Sequence, residues 1–195
     1  DSDIRLLETM YRDKGYLDAM VSLKEIKRDS TRRRVALRLT IEEGPQTIVD
    51  SVPLVHDSAL ASINLLRFVP LRAGNPLSPS KVSTSASALA DSLGRFGYLY
   101  AKVNARTEID TPRHRASVSF VVDEGPTAQV GKVEIRGNRA VRRSVIEREL
   151  AFGPGDVLTT GKVRTSIRRI YGTGLFDRVQ IRTAPPDSIL RDRLD

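Results

Sequence analysis

Gly15-Tyr16-Leu17-Asp18-Ala19-Met20-Val21 returns 82 residues later as Gly97-Tyr98-Leu99-Tyr100-Ala101-Lys102-Val103. Further on, Ile41-Glu42-Glu43-Gly44-Pro45 returns at a spacing of 81 as Val122-Asp123-Glu124-Gly125-Pro126. The one-residue change of offset falls between Leu23 and Asp29. That stretch reads as the neighbourhood of a hairpin tip, where an insertion costs little. The same 81-residue shift carries Val49–Ser85 onto a third copy with ten identities, among them Gly74/Gly155, Leu77/Leu158, Lys81/Lys162 and Ser85/Ser166. Beyond these, the third copy is four residues shorter between Val163 and Gly174 than the second is between Val82 and Gly97. Four residues make about one helical turn, so the deletion shortens a helix and leaves its buried face in phase. The chain is a tandem repeat, and its period is that of a small domain.

The middle copy carries the local signals in full. Thr47–Val55 is rich in β-branched residues and reads as a strand. Ser58 is placed to cap a short helix reaching about Arg67, and Leu71–Pro76 reads as a turn. Ser78 or Ser80 then starts a longer helix to about Arg95, with Val82, Ala86, Leu89 and Leu93 along one face. Gly97 ends that helix as a left-handed cap. Tyr100–Glu108 and Arg115–Asp123 follow as two strands around a turn at Thr111-Pro112. In the second of these, Ala116, Val118, Phe120 and Val122 alternate with Ser117, Ser119 and Asp123. Val35, Leu37, Leu39 and Ile41 repeat the pattern in the first copy. Alternation of this kind predicts a sheet with one buried and one wet face. The order β-α-α-β-β then predicts an α+β unit, a three-stranded sheet covered on one face by two helices. On this reading residues 1–45 are a partial repeat holding the second helix and the hairpin, 46–126 a complete repeat, and 127–195 a third. In the third, Lys132–Arg136 and Asp177–Arg182 are expected strands, Arg142–Leu150 and Lys162–Tyr171 expected helices. Its last strand is obscured by Ala184-Pro185-Pro186.

Composition narrows the function. Hydrophobic residues at 39% and charged residues at 29% fit a globular chain and argue against disorder. No apolar run approaches the roughly 18 residues of a membrane-spanning helix, and no basic-then-apolar start marks a signal peptide. The chain has no cysteine, so no disulfide or thiolate chemistry is available. His56 and His114 stand far apart without metal-ligand spacing. Gly153-Pro154-Gly155 and Gly172-Thr173-Gly174 lack the Lys-Ser/Thr of a phosphate loop, and no serine sits in a Gly-x-Ser-x-Gly elbow. The expectation is therefore a non-enzyme with no cofactor and no metal. The net charge of +8 is uneven, with +6 of it in residues 127–195. Such a face attracts anionic surfaces.

Taken in order, Gly15–Val21, Ile41–Pro45, Val122–Pro126, Val133-Glu134-Ile135-Arg136-Gly137-Asn138, Gly155-Asp156-Val157-Leu158 and Tyr171–Val179 resemble the POTRA (polypeptide-transport-associated) repeat of the Omp85 and two-partner-secretion superfamily, over nearly the whole chain. Each motif is weak alone, and together they are specific. The resemblance is to the periplasmic arms of BamA-like and TamA-like outer-membrane assembly or transport proteins. It implies a periplasmic, non-catalytic role in outer-membrane protein assembly or secretion, with a barrel lying outside this sequence. It also implies unfolded outer-membrane or secreted polypeptides as partners, and accessory assembly proteins besides.

Two surfaces are then expected to bind. The strand after each long helix is implied to be an open sheet edge: Asp18–Leu23, Tyr100–Ala105 and Asp177–Arg182. An edge presents unpaired N–H and C=O groups to which an extended chain can add with little sequence demand. Tyr100, Ala101, Lys102, Val103, Asn104 and Ala105 are the sharpest case, with Ala101, Val103 and Ala105 expected inward. The alternative is an anionic-surface module built on Arg136, Arg139, Arg142, Arg143, Lys162, Arg164, Arg168 and Arg169. Lipid headgroups suit that face better than nucleic acid, which is not expected as a partner because aromatic residues are few and no stacking platform stands beside the arginines.

Overall fold

The computed structural model describes residues 2–29, 34–56 and 64–183. They fall into two compact bodies, Asp1–Leu89 with Val103–Val122, and Ala90–Lys102 with Asp123–Asp195. The Ser58–Arg67 helix expected from sequence lies mostly outside the described residues. So does the closing strand of the third copy.

The first body opens with α1 (Ser2–Arg12) and the hairpin β1 (Met20–Asp29) and β2 (Arg34–Glu42), paired antiparallel. The register shifts between Leu23 and Glu25, which leaves Lys24 as a bulge. Here lies the extra residue of the first copy: inside the strand, not at the hairpin tip. The bulge also resets the side-chain parity. Val21 and Leu23 pair with Ile41 and Leu39, and beyond the bulge Ile26 pairs with Leu37, so all the apolar residues share one face.

In the second copy the expected Thr47–Val55 strand is interrupted. It forms β3 (Ile48–Ser51) and β4 (Leu54–Val55), which lie in succession along one side of β6 (Arg115–Asp123), both parallel to it. Pro53 stands at the break, and its carbonyl accepts the Phe120 N–H at 3.0 Å. On the other side β6 pairs with β5 (Lys102–Asp110). Their turn is held by Asp110, whose Oδ1 accepts the Arg113 N–H, and His114 takes the left-handed conformation at φ 51°. A 3-10 turn at Leu65–Phe68 and the helix α2 (Pro79–Arg95) follow the strand-and-turn segment, with Ser78 Oγ capping the Lys81 N–H. In this body's core Val49, Leu65, Val69, Leu71, Leu89, Val118 and Phe120 are buried. Ser85 is buried among them and fully satisfied: it accepts from the Leu71 N–H and donates to the Lys81 carbonyl.

In the second body, α3 (Arg143–Glu147) and α4 (Thr160–Gly172) are both helices, the former shorter than expected. Ser166 repeats the role of Ser85, accepting from Ala151 N–H and donating to the Lys162 carbonyl. Lys132–Arg136 and Asp177–Arg182 are not strands. The physical reason is the pairing scheme of the second copy. There, both the opening strand and the strand after the long helix bond to β6, and the counterpart of β6 is not among the described residues of the third copy. An isolated bridge, Gln129 to Val157, repeats that of Ile48 to Pro76 in the second copy.

Candidate peptide-binding edge and basic face

The helix-stop glycines organise the links between copies. Gly15, at φ 90°, offers its carbonyl to the Thr47 N–H at 2.8 Å; Gly97, at φ 98°, offers its own to the Ala128 N–H at 2.8 Å. Thr47 and Ala128 in turn accept from the Leu77 and Leu158 N–H groups, at 2.9 and 2.8 Å. A Cβ at Gly15 would lie 2.8 Å from the Thr47 carbonyl oxygen, so the close approach requires glycine.

Beyond Gly97 the chain turns through Tyr100 and Ala101, and β5 begins at Lys102, two residues later than the sequence suggested. Tyr100, Ala101 and Val103 are half-buried; Lys102, Asn104 and Ala105 are exposed. Ala105 is therefore not a core residue, and Ile109 on the same strand is 47% exposed. The strand projects past the cover of its own sheet. Its one pairing partner among the described residues is β6, which leaves the outer edge open along the run Lys102–Asp110. Arg106, Glu108 and Asp110 give that edge mixed charge, a common guard against indiscriminate sheet association. Of the other two expected edges, β1 runs Met20–Asp29 and not Asp18–Leu23, and Asp177–Arg182 forms no strand.

The eight basic candidates separate into two groups. Arg136 pairs with Glu134 at 2.9 Å, Arg143 with Glu147 at 2.7 Å and Lys162 with Asp156 at 3.4 Å. Arg143 also donates to the Val133 carbonyl, and Lys162 to the Val157 carbonyl. These three are engaged locally within the second body. Arg139, Arg142, Arg164, Arg168 and Arg169 are exposed and have no ion pair among the described residues. Arg164 and Arg168 stand one turn apart on α4, and so share a face. Two acids take lowered pKa values here. Glu134 is brought to about 2 by hydrogen bonds from Lys132 and then Arg136, and by their charges. Asp156 is lowered by the Gly153 N–H and then by Lys162. No cluster of three or more His, Cys, Asp or Glu suited to a metal ion occurs among the described residues, and no helix there is long and apolar enough to cross a membrane.

Asp13, which reaches into the second copy, is not among the residues the sequence singled out; an acid at the C-terminal end of a helix, where the dipole disfavours it, was the available clue. The apolar face of β1–β2 is bare, with Leu23, Ile26, Val35 and Leu37 exposed.

These features define a tandem α+β repeat with an open strand edge and a basic flank. The chain belongs to the POTRA family: the model described as "Surface antigen variable number repeat" matches residues 51–125 and 128–192. Among curated proteins it is 25% identical over 175 residues to the outer membrane protein assembly factor BamA of Nitratidesulfovibrio vulgaris. It is 27% identical over 180 residues to a putative outer membrane protein assembly factor of Treponema pallidum. Those alignments cover 88% and 90% of this chain, which spans 22% of the length of each relative. Its fold is that of the Haemophilus influenzae BamA POTRA3-5 crystal structure, with a TM-score of 0.69 at 22% identity over 94% of this chain and 73% of that one. A Haemophilus ducreyi BamA structure lacking POTRA domains 1-3 matches at a TM-score of 0.62 and 23% identity, over 71% of this chain and 26% of that one.

Proposed function

We propose that this chain is part of the periplasmic arm of an outer-membrane protein assembly factor, and that it binds extended client polypeptides by strand addition without catalysing a reaction. On this reading residues 1–45, 46–126 and 127–195 are successive POTRA units, the first partial and the last without its closing strand. The observation that carries the reading is β5, a nine-residue strand paired on one side and exposed along nearly its whole length. Family membership and the named relatives supply the class of client. Main-chain pairing supplies most of the affinity, each bond contributing a net 0.5–1.5 kcal/mol or so. Four or five bonds, less the cost of ordering the peptide, give weak and reversible capture, as a transfer device requires.

The test is an NMR titration with a peptide from an unfolded outer-membrane barrel protein. Shifts are expected along residues 102–110. Lys102→Pro, checked for folding by circular dichroism, is expected to weaken binding several-fold if the Lys102 N–H faces the open edge, and to damage the sheet if it faces β6. Shifts confined to α3 and α4 would overturn the edge reading.

A second reading rests on the five arginines that have no ion pair among the described residues, which make the third unit a docking face for anionic lipid headgroups. It is tested by flotation with phosphatidylglycerol vesicles against neutral ones. Loss of binding in Arg164→Glu/Arg168→Glu supports it, and equal binding to both vesicles rejects it.

A further inference from the structure

Three consecutive residues at the end of α1 each hold the second copy. The Gly15 carbonyl takes the Thr47 N–H, and the Lys14 carbonyl takes the Gln46 Nε2 at 2.8 Å. Asp13 makes the most extensive contact. Its Oδ1 accepts from the Ser80 N–H at 3.0 Å and the Ser78 hydroxyl at 3.1 Å, while its Oδ2 accepts from the Ser80 hydroxyl at 2.6 Å. Ser78 and Ser80 open α2, more than sixty residues away in the chain.

The first-turn N–H groups of a helix have no intrahelical acceptor, and its N-terminal pole favours negative charge. Asp13 answers both needs of α2 from outside. It does so against the interest of its own helix, because an acid at a C-terminal end meets the negative pole. Its backbone N–H is still bonded to Thr9, so the side chain projects from a fixed base. The hydrogen bonds, those of Ser80 first, lower its pKa and keep it ionised at neutral pH.

The second link has no carboxylate at the corresponding position. Gly97 keeps the backbone hook to Ala128. By the repeat offset, however, Arg95 stands where Asp13 stands and Gly161 where Ser80 stands. The intrasegment cap is common to both helices, Thr159 accepting the Lys162 N–H at 3.1 Å as Ser78 accepts that of Lys81 at 3.1 Å, so what distinguishes the first link is the added carboxylate.

We propose that Asp13 is an inter-repeat clamp, a cap supplied in trans that fixes the first unit on the second at one orientation, and that the backbone hook alone leaves this orientation loose. A bare hook restrains a distance; adding a bidentate carboxylate beside it restrains rotation about that distance.

The chain has no cysteine, so Lys27→Cys and Glu108→Cys can carry a single pair of spin labels, one on each unit of the first link. A narrow distance distribution is expected with Asp13 intact and a clearly broader one in Asp13→Ala. The Ser80 amide is the second readout, because Asp13 is its acceptor. Its hydrogen exchange is expected to accelerate roughly tenfold in Asp13→Ala, with protection retained in β1, β2 and the body of α2. A merely structural loss would accelerate all of these together. Asp13→Asn/Ser80→Ala removes the charge and the Oδ2 contact from an exposed surface, and is expected to broaden the distribution by less. Unchanged distance width and unchanged Ser80 exchange in Asp13→Ala overturn the proposal. If that variant loses hairpin protection, wild-type behaviour of the double variant overturns it instead.

Discussion

The β1–β2 hairpin and the β5–β6 hairpin carry the same alternating pattern, and position by position the outcome differs. Val35, Leu37, Leu39 and Ile41 correspond to Ala116, Val118, Phe120 and Val122. Leu37 is 61% exposed and Val118 is 0% exposed. Strand chemistry does not account for this, since both sequences are good strands and both strands pair. The difference lies in what covers them. On β6 the segment 48–55 adds two parallel strands, and Leu65, Val69, Leu71 and Leu89 are buried in the same body. On β2 no further strand is paired among the described residues, and α1 contacts β1 with Ala19 and Val21 buried at that end. Alternation therefore specifies which face will be apolar, and burial depends on elements elsewhere in the chain.

That contrast is most sharply broken or upheld by paired truncations at matched positions. Phe120→Ala empties a fully buried site and is expected to cost about 3–5 kcal/mol. Leu39→Ala, its counterpart on the open sheet, is expected to cost below about 1 kcal/mol, because the side chain keeps much of its contact with water when folded. Urea unfolding followed by circular dichroism measures both. Equal losses would mean that the β1–β2 face is covered in solution.

The two glycine hooks offer a finer comparison. Both Gly15 and Gly97 are left-handed, and placing a side chain there costs about 1–2 kcal/mol. They differ in what the new Cβ would meet. At Gly97 it is the Val157 Cγ1 at 2.6 Å, the end of a side chain that can turn away. At Gly15 it is the Thr47 carbonyl oxygen at 2.8 Å, with the Pro76 Cβ and Gln46 Cγ close behind. Gly15→Ala is therefore expected to destabilise its link more than Gly97→Ala. The check is thermal unfolding of the two variants, together with exchange at the Thr47 and Ala128 amides. The reverse ranking would place the rigid contact at the second link.

Much of this fold was legible because the repeat supplied its own controls. The bounds of β6, the end of α2 at Arg95 and the turn at Thr111-Pro112 follow from local chemistry, and the α+β unit follows from their order. What failed was whatever depended on a partner. Lys132–Arg136 has strand-like composition and forms no strand, since a strand exists through its neighbour's hydrogen bonds. Ala105 was expected in the core because alternation says which way a side chain points, not how far the helical cover extends. Lys24 was legible as an extra residue but not as a bulge; a change of offset fixes the count and leaves the location open by a few residues. The basic candidates were found by composition, which registers charge but not pairing. It could not foresee that Arg136, Arg143 and Lys162 are engaged while Arg164, Arg168 and Arg169 have no ion pair among the described residues. Asp13 lay furthest from view, because its partners are remote in sequence.

The smallest effect expected concerns the segment that is strand in one copy and not in the other. Lys132, Glu134 and Arg136 alternate along an extended stretch, and both cations lie 2.9 Å from the same carboxylate. The hydrogen bond from Lys132 is the larger influence on Glu134, followed by that from Arg136, and together they bring its pKa from 4.5 to about 2. A carboxylate with a depressed folded pKa adds stability that is fully present above the unfolded value and is lost as pH falls through the folded one. The window here runs from about 4.5 down to about 2. All three groups are exposed, and salt screens exposed pairs, so global unfolding should barely register their loss. The local reading is the carboxyl carbon shift of Glu134 followed by NMR from pH 6 to 2. Its midpoint is expected near the low end in the wild type. Lys132→Ala should move it up toward 4.5, and Arg136→Ala should move it less. Half-molar salt should also raise it. A midpoint near 4.5 in the wild type would mean that the three side chains do not hold together in solution, and that this stretch is held by the Arg143 bond to the Val133 carbonyl and by the backbone bonds of the preceding Val130 to Asp156 and Gly155.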